Sequence, residues 1–180
     1  MTAPVEVPRP EAGEYAPYYG RYIDLVADTS DAIRTLARQQ DLVNHALAPL
    51  DDNQASQRYA AGKWSVKEVL GHMLDAERIF AYRLLRIARG DETPLAGFDE
   101  NAYVPAGHFD ARSLTDLLGE WRSVRAATIA MVRGLPEDAW TARGHASGQP
   151  VSARALLYII VGHVDHHLNV LYTRYGVPTL

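Results

Sequence analysis

The chain has 180 residues, 47% of them hydrophobic and 22% charged, the balance of one globular domain with a buried core rather than of a disordered or fibrous chain. Lysine and arginine number 18 against 22 aspartates and glutamates, and the net charge of -4 argues against a phosphate-tracking surface for nucleic acid. Cysteine is absent, which excludes disulfides, thiolate nucleophiles, zinc fingers and iron–sulfur ligation together and leaves the 7 histidines as the main candidate ligands and bases.

The N-terminal stretch carries prolines and glutamates where a signal peptide needs a basic start and an apolar run. The longest apolar stretch, Ala155 to Gly162, falls far short of the roughly 20 residues that span a bilayer. A cytoplasmic protein with no membrane partner is expected. Residues 1–28, rich in proline and tyrosine, read as a lead-in strap ending near Asp28 or Thr29.

Over about 30–48, Ile33, Leu36, Ala37, Val43, Ala46 and Leu47 form a helical stripe that Pro49 and the run Asp51-Asp52-Asn53-Gln54 close. The second helix, about 65–89, has the clearest start: Ser65 and Glu68 make a capping box, with Trp64 and Val69 placed for a hydrophobic staple. Val66, Leu70, Met73, Phe80, Leu84 and Ile87 then repeat in near-helical steps up to Gly90. A third helix, about 113–133, starts at Ser113 with Asp116 as a weaker capping partner. It runs through Leu117, Leu118, Trp121, Val124, Thr128, Ile129 and Val132 to Gly134. A fourth, about 152–175, follows Pro150 and Ser152, carries Leu156, Ile160, Val170 and Leu171, and ends at Gly176. Four amphipathic helices without a convincing alternating strand predict an all-α four-helix bundle. The connections 91–112 and 135–151 exceed the roughly 2–8 residues usual in bundles, so they allow crossovers and are where a lid would sit.

Each helical residue advances about 100° around the axis. On the last helix Leu156, Ile160, His163, His167, Val170 and Arg174 therefore share one seam, and His163 and His167 stack one turn apart on it. His166 points to another face, with Asn169 and Thr173. Two imidazoles on an apolar seam are costly unless their nitrogens are satisfied, and either a divalent cation or bonds to backbone and tyrosine hydroxyls would do so. A metal needs a third ligand from elsewhere. His72, at the margin of the second stripe beside Val69, Ala76 and Ile79, is the best candidate, although the same position suits an ordinary boundary histidine. His45, His108 and His145 fall on a polar helix face and two loops. Among the carboxylates, Glu68 is explained by its capping box. Asp75 stands one turn after His72 and can orient its free nitrogen. Glu77, near the centre of the apolar seam, either pairs with a buried arginine or serves as an acid or base. Asp75 and Glu77 are thus the candidate catalytic residues, while Asp165 is expected in solvent.

These residues carry a resemblance. Lys63-Trp64-Ser65-Val66-Lys67-Glu68-Val69-Leu70-Gly71-His72 resembles the first metal motif of the DinB/YfiT-like superfamily, and Gly162-His163-Val164-Asp165-His166-His167 resembles its second. Tyr15 to Tyr22 and Phe80 to Tyr103 are similar to one branch of it, so the likeness covers nearly the whole chain. It implies a bundle with crossover connections and one metal site between the second and fourth helices, with His72, His163 and His167 as ligands. It also implies a homodimer and a small-molecule substrate. Many members are held to be metal-dependent hydrolases without a known substrate, and others transfer low-molecular-weight thiols such as bacillithiol or mycothiol. All-nitrogen ligation points to zinc or nickel first, with iron or manganese as alternatives. Two departures stand out: Leu168-Asn169-Val170 occupies the place of an Arg-Gly-Gln common in relatives, and Val164 that of a carboxylate. The expected function is metal-dependent activation of a thiol or water for S-transfer or hydrolysis. The alternative is a non-catalytic, metal-stabilised bundle with a stress-related or interaction role.

Overall fold

Side-chain caps open the long helices in the computed structural model, which describes residues 6–26 and 31–178. The expected strap end at Asp28 or Thr29, and a helix start at Ser30, lie outside the described residues. Along the strap, a 3-10 turn at Pro17–Tyr19 runs into the short helix α1, Gly20–Ile23. Asp31 caps α2, Ala32–Leu47, by accepting from the Arg34 amide, and the single turn α3, Asp52–Ala55, follows. Both halves of the Ser65–Glu68 box are formed at the head of α4, Val66–Ala88. After α5, Glu100–Gly107, Ser113 caps α6, Leu114–Arg133. Asp116 does not reciprocate there, because its carboxylate turns to Arg112. The strands β1, Arg143–Ala146, and β2, Gln149–Ser152, precede α7, Ala153–Tyr175, which Ser152 caps and Gly176 ends in a left-handed conformation.

α4 packs against α6 and α7, and α2 packs against the same two helices. α2 and α4, the first and second long helices, therefore face each other across the bundle, as do α6 and α7. The crossings are made by residues 48–65 and 134–152. By contrast 91–112 joins two adjacent helices, so its length serves no crossover. It holds α5 instead, with Phe98 and Glu100 at its start.

The hairpin corrects the expectation that no strand is present. β1 and β2 pair antiparallel from Arg143↔Ser152 to Ala146↔Gln149, with Ser147 and Gly148 between them at φ 54° and 73°. Two positive φ values make the mirror-image turn that matches strand twist. Leu95 bridges Ala146, which docks the hairpin on the segment after α4.

The buried apolar side chains fall into two clusters. One gathers Tyr22, Leu36, Phe80, Leu84, Ile87 and Leu156 to Val161; the other gathers Val43, Leu47, Leu70, Met73, Trp121, Leu168 and Leu171. Each long helix carries a buried polar residue near the junction of the two clusters. These are Gln39, Glu77, Arg125 and His163.

Candidate metal centre

Two close approaches shape the region around the histidines. Gly162 lets α1 lie against α7, since a Cβ there would collide with the Tyr22 carbonyl. Gly71 likewise makes room on α4 for the Phe109 ring. Tyr22 is thereby set against His163 and His166, at ring separations of 5.3 and 5.4 Å. Trp64 covers His72 at 4.9 Å, and Phe80 stands 5.6 Å from His163.

Within this enclosure three imidazoles meet nitrogen to nitrogen. His72 Nε2 lies 3.0 Å from His163 Nε2, and His167 Nε2 lies 3.1 Å from the same atom. All three rings are buried, and one ligand atom from each falls within 4.8 Å of the others. Burial pushes His72 down to about 4, and it pushes His163 and His167 well below the ordinary histidine value. The rings are therefore neutral at neutral pH, which is the form that binds metal. A neutral imidazole has one N–H, so three converging nitrogens cannot satisfy one another. A cation at their common point would accept all three lone pairs. Nitrogens arranged tetrahedrally about 2.0–2.1 Å from an ion stand about 3.3 Å apart, close to the spacing seen here. The His167 Nδ1 is buried without a partner, so no hydrogen bond fixes that ring from behind.

Two cavities adjoin the cluster. One, of about 270 Å³, is lined by His72 and His163 together with Tyr18, Tyr19, Tyr22, Phe80, Phe98, Glu100 and Ser147. The other, of about 300 Å³, lies on the His167 side, with Lys63, Trp64, Asn101, His166 and Tyr175 among its lining residues. The expected lid segment thus supplies a wall, through Phe98 and Glu100.

The remaining candidates lie elsewhere. Glu77 is buried and bonded at 3.0 Å to the Arg125 Nη2, whose Nη1 donates to the Gln39 carbonyl oxygen at 3.2 Å. Burial raises the Glu77 carboxyl while the guanidinium opposes the shift. Asp75 is half-buried, its pKa raised by burial, and it lines neither cavity. Asp165, expected in solvent, is instead half-buried and accepts from Gln39 Nε2 at 2.7 Å, because α2 packs over that face of α7. His145 is an exposed strand residue rather than a loop residue, and His108 ends α5 in a left-handed conformation. His45 is exposed, its Nδ1 3.3 Å from the Asp41 carbonyl. Glu100 is the carboxylate that the sequence reading missed: it lines the cavity, and its charge acts on both His72 and Tyr22.

The profile of the DinB superfamily matches residues 35–171. The chain belongs to the DinB superfamily. Among DinB-like relatives, a Bacillus licheniformis protein named as a candidate metal-dependent hydrolase is 30% identical over 143 residues, or 76% of this chain and 78% of the relative. A Bacillus pumilus protein of the same description is 24% identical over 160 residues, covering 87% and 88% of the two chains. The fold is similar to that of YfiT from Bacillus subtilis, described as a probable metal-dependent hydrolase with an unusual four-helix bundle topology. The TM-score is 0.72 at 18% identity, over 96% of this chain and 95% of that one. It is also similar to a mycothiol-dependent maleylpyruvate isomerase, with a TM-score of 0.66 at 16% identity; the match covers 82% of this chain but 61% of that longer one.

Proposed function

We propose that His72, His163 and His167 hold one divalent metal ion, and that the protein is a metal-dependent enzyme acting on a small molecule. Transfer of a low-molecular-weight thiol such as bacillithiol is the leading reaction, and hydrolysis is the second. The observation that carries this reading is the convergence of three buried, neutral Nε2 atoms at the wall of a cavity. Zinc and nickel suit the all-nitrogen set best, ahead of iron and manganese. A bound ion of this kind lowers the pKa of water or a thiol toward neutrality and so makes a nucleophile available.

The chain's own residues supply the rest. Tyr18, Tyr19, Tyr22, Phe80 and Phe98 give the cavity an aromatic lining against which a flat or apolar part of the substrate can pack. Glu100, beside His72, accepts the proton that the nucleophile gives up. That role passes to Glu100 because Glu77 is held by Arg125 and Asp75 lines neither cavity. A second cavity on the His167 side supports a reaction of two partners, in which thiol and electrophile approach from different sides. The likeness of fold to a mycothiol-dependent enzyme supports ranking thiol transfer first. We also propose a homodimer, for which exposed Tyr82 and Leu85 on α4 offer apolar surface.

The test is metal content by mass spectrometry, on untagged protein purified without metal columns, beside a His72→Ala, His163→Ala double variant. About one equivalent in the wild type and almost none in the variant is expected. Thiol conjugation to an electrophile is then assayed with and without Glu100→Gln. Protein that stays metal-free after reconstitution would overturn the reading. One that binds metal but turns over neither thiol nor ester would reduce it to a metal-stapled bundle.

A further inference from the structure

Apart from the neutral histidines, three basic side chains are buried among the described residues: Lys67, Arg83 and Arg125. Two of them have a counter-charge, since Lys67 meets Asp52 at 2.9 Å and Arg125 meets Glu77 at 3.0 Å. Arg83, only 2% exposed, has none among the described residues. Its Nη2 donates to the Ala96 carbonyl at 2.7 Å and to Ser147 Oγ at 3.2 Å, and its guanidinium lies 6.0 and 5.8 Å from the Phe80 and Phe98 rings. A buried guanidinium without a carboxylate is expensive to keep, and two neutral acceptors repay only part of that cost.

Its position relates it to the histidines. His72, Ala76, Phe80 and Arg83 follow one another at steps of four, four and three, so a single stripe of α4 carries the imidazole at one end and the guanidinium at the other. Their Cα atoms are about 16 Å apart along the helix. Phe80, Phe98 and Ser147, which surround the guanidinium, line the same cavity of about 270 Å³ as His72 and His163, and Arg83 stands directly behind that lining, reaching it through its bond to Ser147. Ser147 sits at φ 54°, a turn position that suits glycine or asparagine better than serine. Its oxygen accepts from Arg83, which leaves its own hydroxyl hydrogen free to donate.

We propose that Arg83 and Ser147 form an anion subsite at one end of the candidate active site. The substrate is then a small, flat or aromatic molecule whose carboxylate lies at Arg83 and Ser147, with its reacting end toward the histidines. Glu100, on the histidine side, disfavours the reversed orientation. The assignment of the reacting end rests on the metal-centre reading above; the anion subsite itself does not.

Benzoate is the probe, with benzamide and benzyltrimethylammonium as neutral and cationic counterparts. Binding is followed by NMR titration of the full-length chain, both zinc-loaded and metal-free. Benzoate is expected to bind about tenfold tighter than benzamide in both forms, the difference expected of a charge-assisted bond. Arg83→Met, which keeps the volume and removes the unpaired charge, should erase that preference. Ser147→Gly, which suits the turn, should weaken benzoate about threefold. Equal binding of benzoate and benzamide, tightest binding of the cation, or undiminished benzoate affinity in Arg83→Met would overturn the subsite and leave Arg83 as a staple between Ala96 and the hairpin. Should Arg83→Met fail to fold, Ser147→Gly decides, and an unchanged benzoate affinity refutes the proposal. The two readings fail separately. Arg83-dependent selectivity without metal uptake would sink the metal centre alone, and metal uptake without selectivity would sink the anion subsite alone.

Discussion

Two groups of polar side chains interrupt the same apolar interior, and they are built on opposite rules. Around Arg125, donors meet acceptors: the guanidinium bonds to Glu77 and Gln39, and Gln39 in turn bonds to Asp165 and the Val161 carbonyl. Residues of all four long helices take part, two of them on α7, so the network ties the helices together. Around His163, three ring nitrogens converge across 3.0 and 3.1 Å at a cavity wall, and one N–H per neutral ring cannot satisfy all of them. The first group is nearly complete within the chain, lacking partners for one atom each of Glu77 and Arg125. The second is not complete within the chain, and its three ring nitrogens are placed so that they could hold a metal ion. A buried polar cluster is therefore read by whether its partners match, not by how many polar atoms it holds.

The comparison breaks most visibly in stability. Arg125→Ala leaves the Glu77 carboxylate buried and unpaired, and urea unfolding should show a loss of about 3–5 kcal/mol. Replacing both with methionine should return the protein to within about 2 kcal/mol of wild type, since the pair is weak evidence for net stabilisation. In metal-free protein His72→Ala should cost no more than about 1 kcal/mol, while abolishing the rise in Tm on adding zinc. If His72→Ala proves the more damaging of the two single changes without metal, the histidines are structural and the contrast collapses.

Acid should separate the groups next. The folded histidines titrate well below 6.5, His72 at about 4, whereas unfolded histidine titrates near 6.5. Between those values the unfolded state binds more protons, so stability rises with pH and is lost as pH falls from about 6.5. In metal-free protein His72 alone accounts for about 1.6 kcal/mol lost between pH 6.5 and pH 5. Equilibrium unfolding of wild type and His72→Ala across that range should give curves whose gap changes by this amount. Parallel curves would mean that His72 is as protonatable folded as unfolded.

Gly162→Ala sharpens the comparison at the cavity wall. Alanine favours the helix, but its Cβ would strike the Tyr22 carbonyl, so α1 must shift. A net loss of about 1–2 kcal/mol is expected, and the NMR signals of Tyr22 and His163 should move while those of Arg125 stay. No movement at Tyr22 would show that the strap is not held by this contact.

How much of this was legible in the sequence follows from what is local. The Ser65–Glu68 box, the stop at Gly176 and the His163–His167 stack depend on residues within a turn of each other, and periodicity exposes them. Glu77 was recognisable as a buried carboxylate in need of an arginine, although nothing local identified Arg125. The hairpin was not legible because its strands, RGHA and QPVS, lack apolar alternation; its one signal is the Ser147-Gly148 dipeptide. Glu100 and Arg83 gain their meaning from a cavity assembled by α4, α5, the strap and the hairpin, and no spacing within one element encodes that. His72 looked marginal because α4 is covered by α6 and α7 together with α5, so its buried arc is wider than the apolar stripe.

Asp165 is the finest test, because it sits on α7 between the two metal-candidate histidines yet bonds into the Arg125 network. Burial raises its pKa, with Gln39 and Arg125 opposing. A carboxyl whose folded pKa is raised contributes most to stability when protonated and loses that contribution as pH rises through the folded value. Asparagine keeps the shape and an oxygen that can accept from Gln39, without the charge. Asp165→Asn should therefore match or slightly exceed wild-type stability at pH 7, within about 1 kcal/mol, and the gap should close as the carboxyl protonates below its folded pKa. A loss above about 2 kcal/mol would show instead that its charge balances Arg125, making Asp165 a full member of the ion network rather than a hydrogen-bonding edge.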